Sequence, residues 1–275
     1  MESRLTFRDR VDICWQKQLR DKYNELGAPD INLSLKRAIV RRVNRKVAEQ
    51  IILRYEWLGT LPFSCTHYYG LFFGSYCAGV TCSSVGGGGA NVYAYKEFGL
   101  NSQNEFAYLQ RGANVHWSPT GANSKLVSWT CKLLRKDSGA KIIIAYSDSD
   151  AGEIGTIYQA CSWVYIGKGS STNQWVSPAG RIYDQKLASN IAKREGIERR
   201  DVTKYLKSKG WTEQKSNPKG RYVFVLDTSN KALIERVEKM RKPYPKRGAG
   251  EIDNAPDTNQ ETGGASPTAP LINQD

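Results

Sequence analysis

No stretch of the 275-residue sequence reaches the roughly 18–20 consecutive apolar residues a membrane span requires. The first twenty residues, MESRLTFRDRVDICWQKQLR, carry charges throughout and lack the apolar core of a secretory signal. A cytoplasmic protein is therefore expected. No CxxC pair occurs among the six cysteines (Cys14, Cys65, Cys77, Cys82, Cys131, Cys161). They sit in apolar segments, which favours reduced, mostly buried thiols over a disulfide frame or a zinc site. Histidine is scarce. His67 lies two residues from Cys65, but two ligands make a weak metal signal and the metal requirement stays open. His116 reads as structural.

What the chain has is positive charge. Lys and Arg number 40 against 27 Asp and Glu, a formal net charge of +13. Five of those acids (Glu251, Asp253, Asp257, Glu261, Asp275) fall in residues 248–275, which hold no base. Residues 1–247 thus carry 40 bases against 22 acids, or +18. An excess of this size attracts polyanions, without separating DNA from RNA. With 40% hydrophobic and 11% aromatic residues, the chain can build a real core, as one large domain or two small ones.

Along the chain, residues 1–26 predict a charged helix ended by Gly27-Ala28-Pro29-Asp30. Residues 36–43 have strand character. Asn44 can cap a helix whose apolar face is Val47, Ala48, Ile51, Ile52 and Tyr55, stopped by Gly59 and Pro62. Tyr68 to Phe73 and Tyr76 to Cys82 predict a hairpin turning at Gly74-Ser75, followed by the glycine run 86–89. A strand over 105–115, a helix with Leu126, Val127, Cys131 and Leu134, and the apolar strand KIIIAY (141–146) follow. Short elements then cover 155–162 (helix), 163–167 (strand), 187–209 (two helices broken near Gly196), 220–227 (strand) and 231–242 (basic helix). The order describes an α/β domain with a mixed sheet. The expected organisation is a helical extension at 1–34, a catalytic domain at 35–227, a basic helix at 228–247 and a disordered acidic tail at 248–275.

Between the strand ending near Val115 and the next helix lies Trp117-Ser118-Pro119-Thr120-Gly121-Ala122-Asn123-Ser124-Lys125. A strand, a glycine turn and a helix N-terminus make a phosphate cradle in principle, because first-turn N–H groups point outward. The spacing is neither a P-loop nor G-x-G-x-x-G, which argues against a nucleotide triphosphatase or a dinucleotide enzyme. Asp148, just past the apolar strand, and Tyr158, on the next helix, can face one cleft. Tyr158 reads as a general acid or as a half-buried core tyrosine. Asp148 reads as a proton acceptor, a metal ligand or a helix cap. Glu56 reads as a base, a substrate ligand or a solvated acid. Trp57, Tyr68, Tyr69 and Trp117 are aromatics able to stack a flipped base, though strand aromatics are more often core.

The strand–turn–helix arrangement resembles the Gcn5-related N-acetyltransferase (GNAT) fold. That resemblance implies a mixed, mostly antiparallel central sheet flanked by helices, here with N- and C-terminal extensions. It also implies an acyl-CoA (acetyl-CoA) cofactor held at Ser118, Gly121, Asn123, Ser124 and Lys125; Gly121 keeps the first glycine of the GNAT turn and Asn123 replaces the second. The segments Tyr55–Pro62, Tyr146–Ala160, Trp163–Gly167 and Lys219–Phe224 more closely resemble the phage Mom-like DNA modification proteins, a divergent branch of that fold. This implies an enzyme converting adenine in double-stranded DNA to an N6-carbamoylmethyl derivative, which blocks host restriction. It implies catalytic Tyr158, Asp148 and Glu56, with Trp57, Arg221 and Tyr222 binding substrate. Two other readings stand beside it: an acetyl-CoA-dependent N-acetyltransferase acting on a protein, tRNA or small amine, and a non-catalytic basic nucleic-acid-binding module.

Overall fold

The computed structural model describes residues 14–87, 94–180 and 182–246. The expected acidic tail at 248–275 and the first half of the expected N-terminal helix lie outside the described residues. The remainder of that helix is α1 (Trp15–Asp21), followed by a single 3-10 turn rather than a continuous helix. Next come β1 (Ile39–Arg42) and α2 (Arg45–Tyr55). The Asn44 side chain accepts from the Val47 N–H at 3.0 Å, so the expected cap is formed. Ala48, Ile51, Ile52 and Tyr55 are its buried face.

β2 (His67–Phe73) and β3 (Tyr76–Val85) form the hairpin that turns at Gly74-Ser75. Gly74 has φ +58°, which a glycine adopts without a Cβ penalty. There follow α3 (Ala94–Glu97), β4 (Phe106–Asn114), α4 (Ala122–Asp137), β5 (Ile142–Ser147), α5 (Thr156–Ala160) and β6 (Val164–Lys168). Then β7 (Asn173–Val176), β8 (Ile182–Asp184), α6 (Gln185–Arg194), α7 (Val202–Ser208) and β9 (Thr212–Lys215) make a separate group. The chain closes with β10 (Gly220–Val225) and α8 (Lys231–Lys239).

Seven strands form one sheet in the order β1-β2-β3-β4-β5-β10-β6. Every neighbouring pair is antiparallel except β4 and β5. With helices packed against it, this is the mixed, mostly antiparallel sheet expected of a GNAT-like α/β fold. Along β5 the side chains alternate. Ile143 and Ala145 enter a core with Leu126, Cys131 and Leu134 of α4, while Ile142 and Ile144 enter a second core with Leu233 and Val237 of α8. Coverage on both faces explains why this strand is nearly all apolar.

Residues 169–219 hold more than the two helices the sequence predicts. β7 pairs with β8 and with β9, giving a three-stranded sheet in the order β8-β7-β9. Its own small core is Trp175, Ala188, Ala192, Val202 and Leu206.

Candidate functional site at the opening between β4 and β5

β4 and β5 pair in parallel over only four positions, from Phe106↔Ile142 to Leu109↔Ala145, and then part. β3 pairs with β4 along its whole length, but Ser83 faces Leu109 while Cys82 faces Arg111. Gln110 is therefore an extra residue, a bulge of the kind that re-aims the next side chain. Arg111 follows it. Its Nε donates to the Thr60 carbonyl at 3.0 Å and lies 3.8 Å from Glu56 Oε2.

Glu56 ends α2, with extended backbone, and is buried. The Leu58 and Gly59 N–H groups donate to its Oε2 at 2.9 and 3.0 Å. Burial raises its pKa from the ordinary 4.5 to about 7, against the opposing charge of Arg111. The sequence alone left Glu56 open to being a solvated acid; the structure encloses it.

The other lip is built by the end of β5. The side chain of Asp148 accepts from the Asp150 N–H at 3.0 Å and caps a 3-10 turn, and its Oδ2 lies 2.8 Å from Lys219 Nζ. The cap reading and an ion pair both hold for this residue. Lys219 is brought there by register, because the next residue, Gly220, sits opposite Ser147. A Cβ on Gly220 would stand 2.5 Å from Ser147 Oγ, so glycine is needed for that approach. Glu153 returns after Gly152 (φ +72°), and its Oε2 accepts from the Asp148 N–H at 3.3 Å. Desolvation, then the charges of Asp148 and Glu56, raise its pKa to about 7. Asp150 is held by the Asn217 N–H and Nδ2 at 3.0 and 2.6 Å.

Tyr158 stands on α5, entered through Gly155 at φ +73°, where a Cβ would collide with the Tyr222 ring. Its ring packs on Trp163 and Tyr222 at 5.1 and 5.2 Å. Its hydroxyl has no hydrogen-bond partner among the described residues. Burial, and next the charge of Glu153, push its pKa upward, so it keeps its proton at neutral pH and is available as a proton donor. Glu56 also contributes to that upward shift, as it does for Glu153. The groups thus share one electrostatic neighbourhood. Two carboxyls titrating near neutrality beside a protonated phenol can accept and supply protons to a reaction between them.

The expected cofactor residues divide. Gly121 is exposed at φ +86° and begins α4, and no side chain caps that helix. Asn123 is exposed and Ser124 half-buried on its first turn. This end can receive an anion. Ser118 and Lys125 serve the structure: Ser118 Oγ donates to the Ala78 carbonyl at 2.5 Å, and Lys125 Nζ to the Leu35 carbonyl at 2.6 Å.

The expected substrate residues are not gathered on one surface. Tyr222 is fully buried, donating its hydroxyl to the Ile154 carbonyl at 2.5 Å and accepting from Gln159 Nε2 at 3.0 Å. Arg221, adjacent on the strand, points to the opposite face and grips Glu97 with two contacts of 2.9 and 3.0 Å. Trp57 is half-buried, and its N–H donates to Gln16 Oε1 of α1. Tyr68 and Tyr69 are core residues, hydrogen-bonded to the Cys65 carbonyl and to Asp137. Trp117 packs edge-on against Phe73. His116 is structural: its Nε2 donates to the Gly27 carbonyl at 2.7 Å, and its Nδ1 lies 2.9 Å from the Tyr55 hydroxyl. Among the described residues no group of three His, Cys, Asp or Glu could hold a metal ion, the cysteines are unpaired, and no helix is long and apolar enough to cross a membrane.

Arg111, Glu153 and Lys219 are the members of this cluster that sequence reasoning missed as functional groups. Arg111 is the one charged residue of β4, and that was the available signal for it. Fold and site together define an α/β protein whose sheet opens at its one parallel pair onto a cluster of buried charge. The chain belongs to the Mom protein family, whose sequence pattern matches residues 37–246. No curated protein matches it. Solved structures similar to it include an acetyltransferase from Bacillus subtilis in complex with CoA, at 11% identity over 69% of this chain and 97% of that chain, TM-score 0.37. Another is the aminoglycoside acetyltransferase AAC(6')-Ib in complex with coenzyme A, at 14% identity over 58% and 99%, TM-score 0.37. At these TM-scores the likeness adds nothing to the strand order itself.

Proposed function

We propose that this chain is a transferase that modifies the N6 amine of adenine in double-stranded DNA, with a carbamoylmethyl-type product, as the family resemblance implies. The observation that carries the reading is the convergence of Glu56, Arg111, Asp148, Glu153, Lys219 and Tyr158 at the β4–β5 opening in a member of the Mom family.

A carbamoylmethyl product carries a methylene on N6 and requires a donor whose leaving group departs from that carbon. An acyl-CoA-type donor, when bound, would instead supply an activated carbonyl and a thiolate leaving group and give an N6-acyl product. Its pyrophosphate suits the uncapped start of α4, at Gly121, Asn123 and Ser124. Tyr158, held protonated by burial, is placed to donate to a leaving group. The adenine amine is not basic, so it must lose a proton as its new bond forms. Glu56, with its pKa raised to about 7, can take that proton near neutrality. Arg111 and Lys219 balance the charge that develops. The base must leave the duplex stack to reach such a pocket, and the excess of positive charge suits the phosphates that flank it.

The test is mass spectrometry of nucleosides from DNA of cells expressing the chain. Wild type should give a modified deoxyadenosine. Tyr158→Phe should fold normally and slow modification by about 10²–10⁴, the usual contribution of a positioned acid. Deoxyadenosine of normal mass throughout the wild-type sample would overturn the proposal.

A further inference from the structure

We propose that the unit spanning residues 173–215 is a phosphate clamp, which seats the DNA duplex through the outward face of α7 next to the β4–β5 opening. This inference rests on the DNA reading given above.

Residues 173–215 contain ten Lys and Arg against five Asp and Glu. On α7, Val202 and Leu206 are one turn apart and buried in the small core. Lys204 and Lys207 are three residues apart on the opposite side of α7, and Arg200 stands just before the helix in a 3-10 turn. All three are exposed, as are Lys209 and Lys215. Glu198 and Asp201 both pair with Arg200 at the entrance to the helix. Lys204 and Lys207 have no acidic partner among the described residues. At a rise of about 1.5 Å per residue, Lys204 and Lys207 stand ~4.5 Å apart along the helix axis. Two exposed lysines without acidic partners, beside the exposed Arg200, fit a repeating anion such as a nucleic-acid backbone, and the absence of any apolar side chain beside them does not suit a protein partner.

The unit's two connections both close on the catalytic cluster. The Gly169 N–H donates to the Lys219 carbonyl at 2.8 Å, and the Thr172 N–H to Ser216 Oγ at 3.0 Å. Asn217 takes both oxygens of Asp150, and Lys219 pairs with Asp148. The root of the unit is therefore fastened to the loop that carries the site's carboxylates. Phosphates seated on α7 are held at a set position relative to the opening, which is what presenting one flipped base requires.

The experiment uses the full chain with Arg200→Gln, Lys204→Gln and Lys207→Gln combined. Duplex DNA binding is read by anisotropy from 50 to 200 mM salt, alongside melting temperature and adenine modification in cells. Each lost phosphate contact lowers the slope of log K against log salt by about 0.9, so the triple variant should lose about 2.7 from that slope. Affinity should fall by roughly tenfold or more, modification should fall with it, and melting should stay within a degree or so. An unchanged slope and affinity in the triple variant, beside a wild type that does modify adenine, would overturn the clamp and leave the DNA reading standing. A wild type that neither binds duplex DNA nor modifies adenine would take the reading down as well. Wild-type preference for single-stranded RNA or for an acidic peptide over duplex DNA would also overturn the clamp.

Discussion

In the seven-stranded sheet, Ile142, Ile143, Ile144 and Ala145 of β5 are each at most 1% exposed; in the three-stranded sheet all four residues of β9 face solvent. β5 is sandwiched between two helical layers, whereas the small sheet leans on one tryptophan, two alanines and the inner side of α7. The difference separates two tasks. The large sheet buries enough apolar area to hold charged carboxyls in a low-dielectric opening. The small one buries only enough to fix its own shape and leaves Lys204 and Lys207 exposed.

The comparison breaks most visibly in the two cores. Ile144→Asp places an unpaired charge between α8 and the sheet and should cost on the order of 5 kcal/mol or more, abolishing the folded state. Trp175→Ala should cost about 3–5 kcal/mol, yet only within the 173–215 unit. Calorimetry should then show the main transition near its wild-type temperature with a separate loss at lower temperature, and DNA affinity should fall. One merged transition, lowered as a whole, would show that the two sheets melt together and that the division is wrong.

A sharper contrast lies in pH dependence. Glu153 has a folded pKa of about 7 against an ordinary 4.5. Between those values the unfolded chain has released the proton and the folded one still holds it, so this group makes stability fall as pH rises from about 4.5 to about 7. Glu153→Gln removes that loss while keeping an acceptor for the Asp148 N–H. It should match wild type near pH 4 and exceed it by about 1–3 kcal/mol at pH 8, while reducing activity. Equal urea midpoints at both pH values would refute the burial of this charge. The small unit's acids Glu198 and Asp201 are exposed, and their amides should change stability by no more than about 0.5 kcal/mol.

Much of the large sheet was legible because its signals are local. Gly74-Ser75 between two apolar runs marks a hairpin, KIIIAY marks a covered strand, and Asn44 ahead of an apolar face marks a helix start. The small sheet gave no such signal. Asn173-Gln174-Trp175-Val176 and Thr212-Glu213-Gln214-Lys215 are short and mostly polar, and they become strands only by pairing with each other across the 35 intervening residues 177–211. The site divides the same way. Glu56, Asp148 and Tyr158 could be named from position in the chain. Arg111 depends on the bulge at Gln110, Glu153 on the turn at Gly152, and Lys219 on the register of β10 against β5, all set by contacts between distant segments. Tyr222 was misjudged for the related reason that an adjacent pair on a strand, Arg221-Tyr222, cannot serve one face.

The smallest effect concerns helix starts. Asn44 accepts from the Val47 N–H, satisfying one of the donors that α2 leaves open at its first turn. Asn44→Ala should therefore cost about 1 kcal/mol, within a range of about 0.5–2, which for a chain of this size lowers the melting temperature by about 2–4 °C. In the small unit, Asp201 occupies the equivalent place before α7 but makes no capping hydrogen bond. Asp201→Ala should change stability by no more than about 0.5 kcal/mol, as an exposed substitution does. It also frees Arg200 from one acidic neighbour, so duplex affinity should rise slightly rather than fall. Activity should survive Asn44→Ala, because Glu56 at the far end of α2 is held by the Leu58 and Gly59 N–H groups and not by the cap. Fraying at the first turn acts instead on Arg45, whose guanidinium donates to the Leu61 and Pro62 carbonyls. If Asn44→Ala lowered modification by tenfold while the protein stayed folded, the loop after Glu56 would have to be positioned through Arg45, and the opening would depend on both ends of α2.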